Sequence, residues 1–332
     1  MKVIKVPTGK IFIVDGKKGK LECLSLGDYG REKNVKADFL GLTNDINGVP
    51  NGEVMPLSEK WVVTISSQYG CSMNCKFCCV PKVGKGVNAT LFDLDRQVLT
   101  ALLSENCHYT KRLNIHYARM GEPTFNWMVI NHAELLGDTV RCLMNVDVIH
   151  PVVSTMLPKQ NVHLYKFLYT WCNYIKNRVY KGDAGLQFSI NSTDDKQREE
   201  MFSGNSLSLS EISKLGDYLP DPKGRKYALN FALADGYEVD AKKLKSLFNP
   251  EKFMVKITPM HRTDACTDNG IKTTGGYEYF TPYKQAEEDL KEQGFDVLVF
   301  VPSYDEDDGL ITCGNAILSG TMPQTKHAVI EL

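Results

Sequence analysis

Apolar residues recur along this chain in two rhythms. From Trp61 onward, short β-type runs at 61–65, 113–117, 148–153, 186–190, 227–233, 253–257 and 297–301 alternate with amphipathic stretches. The latter lie at 91–104, 127–145, 162–176, 194–202, 208–218, 240–247 and 282–293. The first set has strand length and β-favouring composition; the second keeps the spacing of helices with one apolar face. Strands alternating with helices predict parallel βαβ units. Six or seven of them predict a barrel or partial barrel, and a doubly wound open sheet fits the same periodicity. The first 55 or so residues read instead as strands, with a hairpin around Asp15-Gly16-Lys17-Lys18-Gly19. A loop rich in Asn, Gly and Pro, from Thr43 to Pro56, follows. The expected organisation is a small β-rich segment over 1–55 and an α/β barrel over 56–332.

Composition narrows the class. The 332 residues are 42% hydrophobic and 24% charged, which excludes a disordered or collagenous chain. Thirty-nine Lys and Arg against 40 Asp and Glu leave a net charge of −1, so contact with nucleic acid needs a local patch. Lys76, Lys82, Lys85, Lys111 and Arg112 are the candidates. No apolar run approaches the roughly 18–20 residues that span a bilayer. The opening MKVIKVPTGKIFIVDGKKGK has no apolar core of a signal peptide, so a cytoplasmic protein without a membrane partner is expected.

Three of the ten cysteines fall within eight residues, Cys71-Ser-Met-Asn-Cys75-Lys-Phe-Cys78, just after the first barrel strand. In a reducing compartment such a cluster reads as metal or redox chemistry rather than disulfides. Three thiolates leave one iron of a [4Fe–4S] cube without a protein ligand, since four saturate it. Structural zinc or buried free thiols are the alternatives; zinc wants a second Cys or His pair at regular spacing.

This loop resembles the signature of the radical S-adenosylmethionine (SAM) superfamily. The resemblance implies a partial (β/α)6 TIM-like barrel, a [4Fe–4S] cluster on Cys71, Cys75 and Cys78, and SAM chelated at the open iron. It also implies reductive cleavage of SAM to methionine and a 5′-deoxyadenosyl radical, with a reductant such as flavodoxin or ferredoxin. Further motifs are similar to the RlmN/Cfr family of RNA adenine methyltransferases. They are Ser66-Ser-Gln-Tyr-Gly-Cys71, Met120-Gly-Glu-Pro-Thr-Phe-Asn126, Val153-Ser154-Thr155, Phe188-Ser-Ile-Asn-Ser-Thr-Asp-Asp195, Ile257-Thr-Pro-Met-His261 and Asp307-Asp-Gly-Leu-Ile-Thr-Cys313-Gly.

Carried over residue by residue, Gly121 and Glu122 would form the turn that receives the SAM amino group. Ser154, Ser189, Asn191 and His261, at strand ends, would contact SAM. Cys313 would accept a methyl group and pass its carbon to a nucleobase of an RNA or nucleotide. The sequence departs from the pattern in three places. Thr64 stands seven residues before Cys71, where the family has a second cysteine that releases the enzyme–substrate crosslink. Asn191 replaces a His, and the N-terminus lacks the family's helical domain. Cys79, Cys172 and Cys266 are candidate substitutes for the missing thiol. The alternative outcome is hydrogen abstraction from a nucleotide, DNA or small metabolite without methyl transfer. The stretch from Arg262 to Tyr279 reads as a mobile loop over the substrate.

Overall fold

The computed structural model describes residues 1–6, 8–28, 54–273, 281–300, 304–323 and 329–331. The chain opens with three antiparallel strands, β1 (Lys2–Val6), β2 (Gly9–Gly16) and β3 (Gly19–Leu26). The expected hairpin closes with Gly16 opposite Gly19 across Lys17 and Lys18. Strand β4 (Trp61–Ile65) pairs antiparallel with β3 and then begins a parallel series. That series continues through β7 (Tyr109–Tyr117), β8 (Asn145–Thr155), β9 (Gly185–Ser189), β10 (Tyr227–Leu233), β11 (Phe253–Pro259) and β12 (Val297–Val299).

The short strands β5 (Gln68–Gly70) and β6 (Lys85–Asn88) form a separate ribbon. At the far end β13 (Val329–Glu331) pairs with β1, giving the order β12-β11-β10-β9-β8-β7-β4-β3-β2-β1-β13. In the parallel part each strand lies beside its predecessor, and the order never reverses. A doubly wound sheet must reverse at a switch point, so this one rolls in a single direction as a partial barrel. The seven strands have six crossovers.

The helices are α1 (Leu91–Leu103), α2 (Met128–Arg141), α3 (Leu164–Thr170), α4 (Asp195–Met201), α5 (Leu209–Tyr218), α6 (Ala241–Leu247), α7 (Asp264–Asp268), α8 (Thr281–Glu292) and α9 (Tyr304–Asp308). Most cover the outer face, while α7 and α9 lie over the C-terminal ends of the strands. Helix starts carry the local chemistry expected of N-termini: Thr90 with Asp93, and Ser208 with Glu211, form reciprocal capping boxes. Helix α3 runs on as π-helical turns over Trp171–Val179, beyond the expected end at 176.

Strand alternation separates two environments. On β7, Leu113, Ile115 and Tyr117 are fully buried in the apolar core beneath the helices. Arg112, Asn114 and His116 point the other way, into the barrel lumen. Loops at the C-terminal ends of these strands then converge on one face.

Candidate active site

The ribbon β5–β6 carries the cysteine loop. Cys71 N–H donates to Gly84 O at 3.0 Å and closes its base. The loop is gripped from the opposite side by the chain after α4: Lys76 N–H donates to Met201 O at 2.9 Å and Asn205 Nδ2 to Met73 O at 2.9 Å. The Phe77 ring meets Phe202 edge-on at 5.9 Å. Sequence reading missed this ribbon, because strands of three and four residues leave no periodic trace.

The donor set suits a cationic iron–sulfur centre. Burial pushes the Cys71 thiol up to about 11 and raises Cys78 further. Burial also raises Cys75, and the charges of Cys78, Cys71 and Glu122 add to it. Bare thiolates are therefore disfavoured here, and a positive centre that binds sulfur reverses the balance. Among the described residues no group of three or more His, Cys, Asp or Glu converges as the ligands of one metal ion do. A cube binds its three thiolates at three different irons.

Glu122 lies beside this loop. Its carboxylate, 2% exposed, accepts from Thr124 N–H at 3.1 Å, Thr124 Oγ1 at 2.7 Å and Met156 N–H at 2.8 Å. Burial nevertheless holds its pKa above the ordinary carboxylate value. A bound ammonium group would offset that cost. The turn itself needs Gly121: φ is +96°, and a Cβ would stand 2.5 Å from Gln68 Cβ and 2.8 Å from its backbone nitrogen. Gln68 in turn accepts from Glu122 N–H at 2.9 Å and donates to Asn88 Oδ1 at 2.7 Å, joining turn and ribbon.

Cys313 is exposed, on a loop that touches the cysteine loop directly. Cys79 N–H donates to Gly314 O at 2.8 Å. At Gly314, where φ is +91°, a Cβ would approach Phe77 O to 3.0 Å. Two distant residues anchor the loop on either side of Cys313. Arg119 Nη1 donates to Leu310 O at 2.8 Å, and Leu318 N–H donates to Glu22 Oε1 at 2.5 Å.

The remaining expected residues divide. Ser154 faces the lumen half-buried, and Ser189 is buried at the end of β9. Asn191, at φ +61°, uses its side chain on Ala232 N–H (3.0 Å) and Met201 Sδ (3.1 Å). His261 Nδ1 lies 3.3 Å from Asp307 Oδ1, and Asp307 also takes Thr312 Oγ1 at 2.6 Å, just before Cys313. His261 thus joins the Cys313 loop through Asp307, a residue the sequence reading gave no role.

Three expectations change. The stretch 262–273 is not a free loop: Thr263 caps α7, donates Oγ1 to Phe77 O at 2.8 Å, and fixes the helix on the cysteine loop. Residues 274–280 lie outside the described residues. The basic patch is dispersed: Lys76, Lys82 and Lys111 make exposed ion pairs with Glu200, Asp268 and Glu59, Lys85 stands exposed on β6, and Arg112 turns into the barrel. Of the substitute thiols, Cys172 is buried in the apolar core under the helices, while Cys79 and Cys266 flank the Gly314 contact.

Comparison with known proteins follows the same line. No family model matches the chain. A dual-specificity RNA methyltransferase RlmN from Helicobacter hepaticus is 29% identical over 215 residues, covering 62% of this chain and 53% of that protein. The RlmN of Campylobacter hominis is 22% identical over 273 residues, covering 81% of this chain and 65% of that one. The chain therefore spans about half to two thirds of the length of these curated relatives. A radical SAM methyltransferase from Sphaerobacter thermophilus shares the fold, with a TM-score of 0.63 at 17% identity over 93% of this chain and 77% of that one. The chain is thus similar in sequence to RlmN-type RNA methyltransferases and shares the fold of a radical SAM methyltransferase.

Proposed function

We propose that the protein is a radical SAM methyltransferase that modifies a nucleobase, in RNA or in a nucleotide, through a methylated Cys313. When bound, a [4Fe–4S] cluster on Cys71, Cys75 and Cys78 supplies the electron that cleaves SAM. The chain's own residues do the rest. Glu122, whose buried carboxylate gains from a cationic partner, pairs with the SAM ammonium. Gly121 and Gln68 hold that carboxylate in place. The observation that carries the reading is the Cys79–Gly314 bond, which brings Cys313 against the cysteine loop. In the carrier step the Cys313 sulfur forms a bond to the methyl carbon as the sulfonium S–CH3 bond breaks. S-adenosylhomocysteine leaves, and the thiol proton passes to solvent.

Thr64 favours a second reading, hydrogen abstraction without methyl transfer. Its side chain faces the lumen in register with His116, where a hydroxyl lacks the nucleophilicity of a thiolate. Anaerobic reconstitution with methyl-labelled SAM and a reductant, followed by peptide mass spectrometry, separates the two. A labelled methyl on Cys313 supports the carrier role. An unmodified Cys313 with 5′-deoxyadenosine still produced favours the second reading, and a protein that leaves SAM intact overturns both.

A further inference from the structure

The barrel lumen has an unusual lining. Residues paired across strands share a face, so the register carries the lumen face around the sheet. Thr64 pairs with His116, and Asn114 with His150. Ser154 pairs with Gln187, Asn230 with Ser189, and Lys256 with Asn230. Read along these positions, the inner face of β4 and β7 to β12 holds Arg112, His116, His150 and Lys256 and no Asp or Glu.

Two of these groups have buried atoms without a hydrogen-bond partner: Arg112 Nη2 and His150 Nδ1. His150 is 5% exposed. Its Nε2 lies 3.2 Å from Arg225 Nη1. A guanidinium only donates, so Nε2 accepts and the ring proton sits on Nδ1. Both orphaned atoms are therefore donors, and they lie on neighbouring strands of one face. Burial, with Arg112 and Arg225 adding to it, holds His150 down to about 2 and keeps it in this neutral form. Above them Lys256 Nζ stands 5.6 Å from the Phe300 ring centroid. Burial lowers the Lys256 pKa and nearby Cys313 acts the other way, so this lysine lies near the proposed methyl carrier.

Leaving buried donors unmet is costly, more so when they are charged. Arg112 Nε is met by Asn114 Oδ1 at 3.0 Å, and Asp183, just before β9, is the acid that acts on Arg112 from outside this face. The complement to the donors left over is an oxyanion with several acceptors. Depth and width limit what can bring it. From Arg112 to the end of β7 is five residues, about 17 Å of strand. A closed barrel of eight strands has room for side chains or one small ligand, and seven parallel strands curl here on a similar scale.

We infer that the lumen beneath Cys313 binds the phosphate group of a small phosphorylated molecule, a nucleoside monophosphate or diphosphate, through Arg112, His150 and Lys256. The phosphate site stands on the lining alone; the nucleoside part rests on the nucleobase reading above. It places the reacting base toward Cys313 and the phosphate toward Arg112.

The test is anaerobic calorimetric titration of the full chain with inorganic phosphate and with AMP and GMP. Phosphate binding is expected, at least tenfold weaker than the better nucleotide, and at least tenfold weakened in both Arg112→Met and Lys256→Met. Undiminished SAM binding by those variants shows that they fold. No phosphate binding, or binding unchanged in folded variants, overturns the inference. So does a 5′-phosphorylated RNA oligomer that displaces phosphate as well as the mononucleotide does. Phosphate binding by a protein that leaves SAM intact refutes only the proposed function. SAM cleavage without phosphate binding refutes only this inference.

Discussion

Glu22 and Arg119, 97 residues apart, form a buried ion pair. Arg119 Nε and Nη2 reach Glu22 Oε2 at 2.9 and 2.7 Å, and both side chains are almost completely shielded from solvent. The spare acceptor and donor of the pair hold Leu318 and Leu310. One ion pair thereby ties the N-terminal strands and the end of β7 to the loop that carries Cys313.

Removing one charge leaves the other buried and uncompensated, which costs about 3–5 kcal/mol. Glu22→Gln is therefore expected to lower stability by that amount in urea unfolding. It should also release the Cys313 loop, read as faster alkylation of Cys313 in the native state. The exposed pair Lys20–Asp15 provides the contrast, and Lys20→Gln should leave the urea midpoint essentially where it is. Equal effects of the two variants would contradict the anchoring role.

Gly121→Ala tests the turn that presents Glu122. A Cβ at φ +96° is strained, and it meets Gln68 backbone as well as side chain. Strain of this kind costs about 1–3 kcal/mol. The turn must shift, so SAM affinity measured by equilibrium dialysis should fall at least tenfold while the sheet stays folded. Unchanged affinity would mean that Glu122 does not bind SAM.

The strands and helices from Trp61 onward were legible because each buries one periodic face. Their order in the sheet was not, since periodicity carries no neighbour information; the unreversed order had to be seen. The cysteine loop and Cys313 could be singled out from spacing and motif. Glu22 could not. It sits in LECLSL of β3 as a polar residue among apolar ones, and its partner lies just before another motif far along the chain. The lumen lining was hidden for a similar reason. Arg112 and Lys111 look alike in sequence, and only strand alternation sends one to Glu59 at the surface and the other inward.

Thiol accessibility should follow the same geometry. Cys313 and Cys142 are exposed, whereas Cys23 and Cys172 are fully buried. Burial also pushes Cys172 up to about 12, which suppresses its thiolate. Brief anaerobic treatment with iodoacetamide should label Cys313 and Cys142 and spare the other two. Reconstitution with iron and sulfide should then protect Cys71, Cys75 and Cys78 without protecting Cys313. Protection of Cys313 by the cluster would make it a ligand and would remove it as a methyl carrier.

Acid should weaken the fold earlier than carboxylate titration alone would. Burial holds His116 and His132 down to about 3 and His150 to about 2, whereas an unfolded histidine titrates near 6.5. Between those values the unfolded chain binds protons that the folded chain refuses. The contribution is complete above about pH 6.5 and is lost as the pH falls, at up to about 1.4 kcal/mol per pH unit for each imidazole. Glu122, raised by burial, works the other way, because the fold takes up its proton first. Three groups outweigh one, so the urea midpoint should drop between pH 7 and pH 5. His132→Gln should remove about a third of that imidazole slope. A midpoint that stays level over this range would mean that the rings take up protons in the fold, His132 beside Asp95 at 3.4 Å included, and would take the neutral His150 donor, and with it the lumen site, out of the argument.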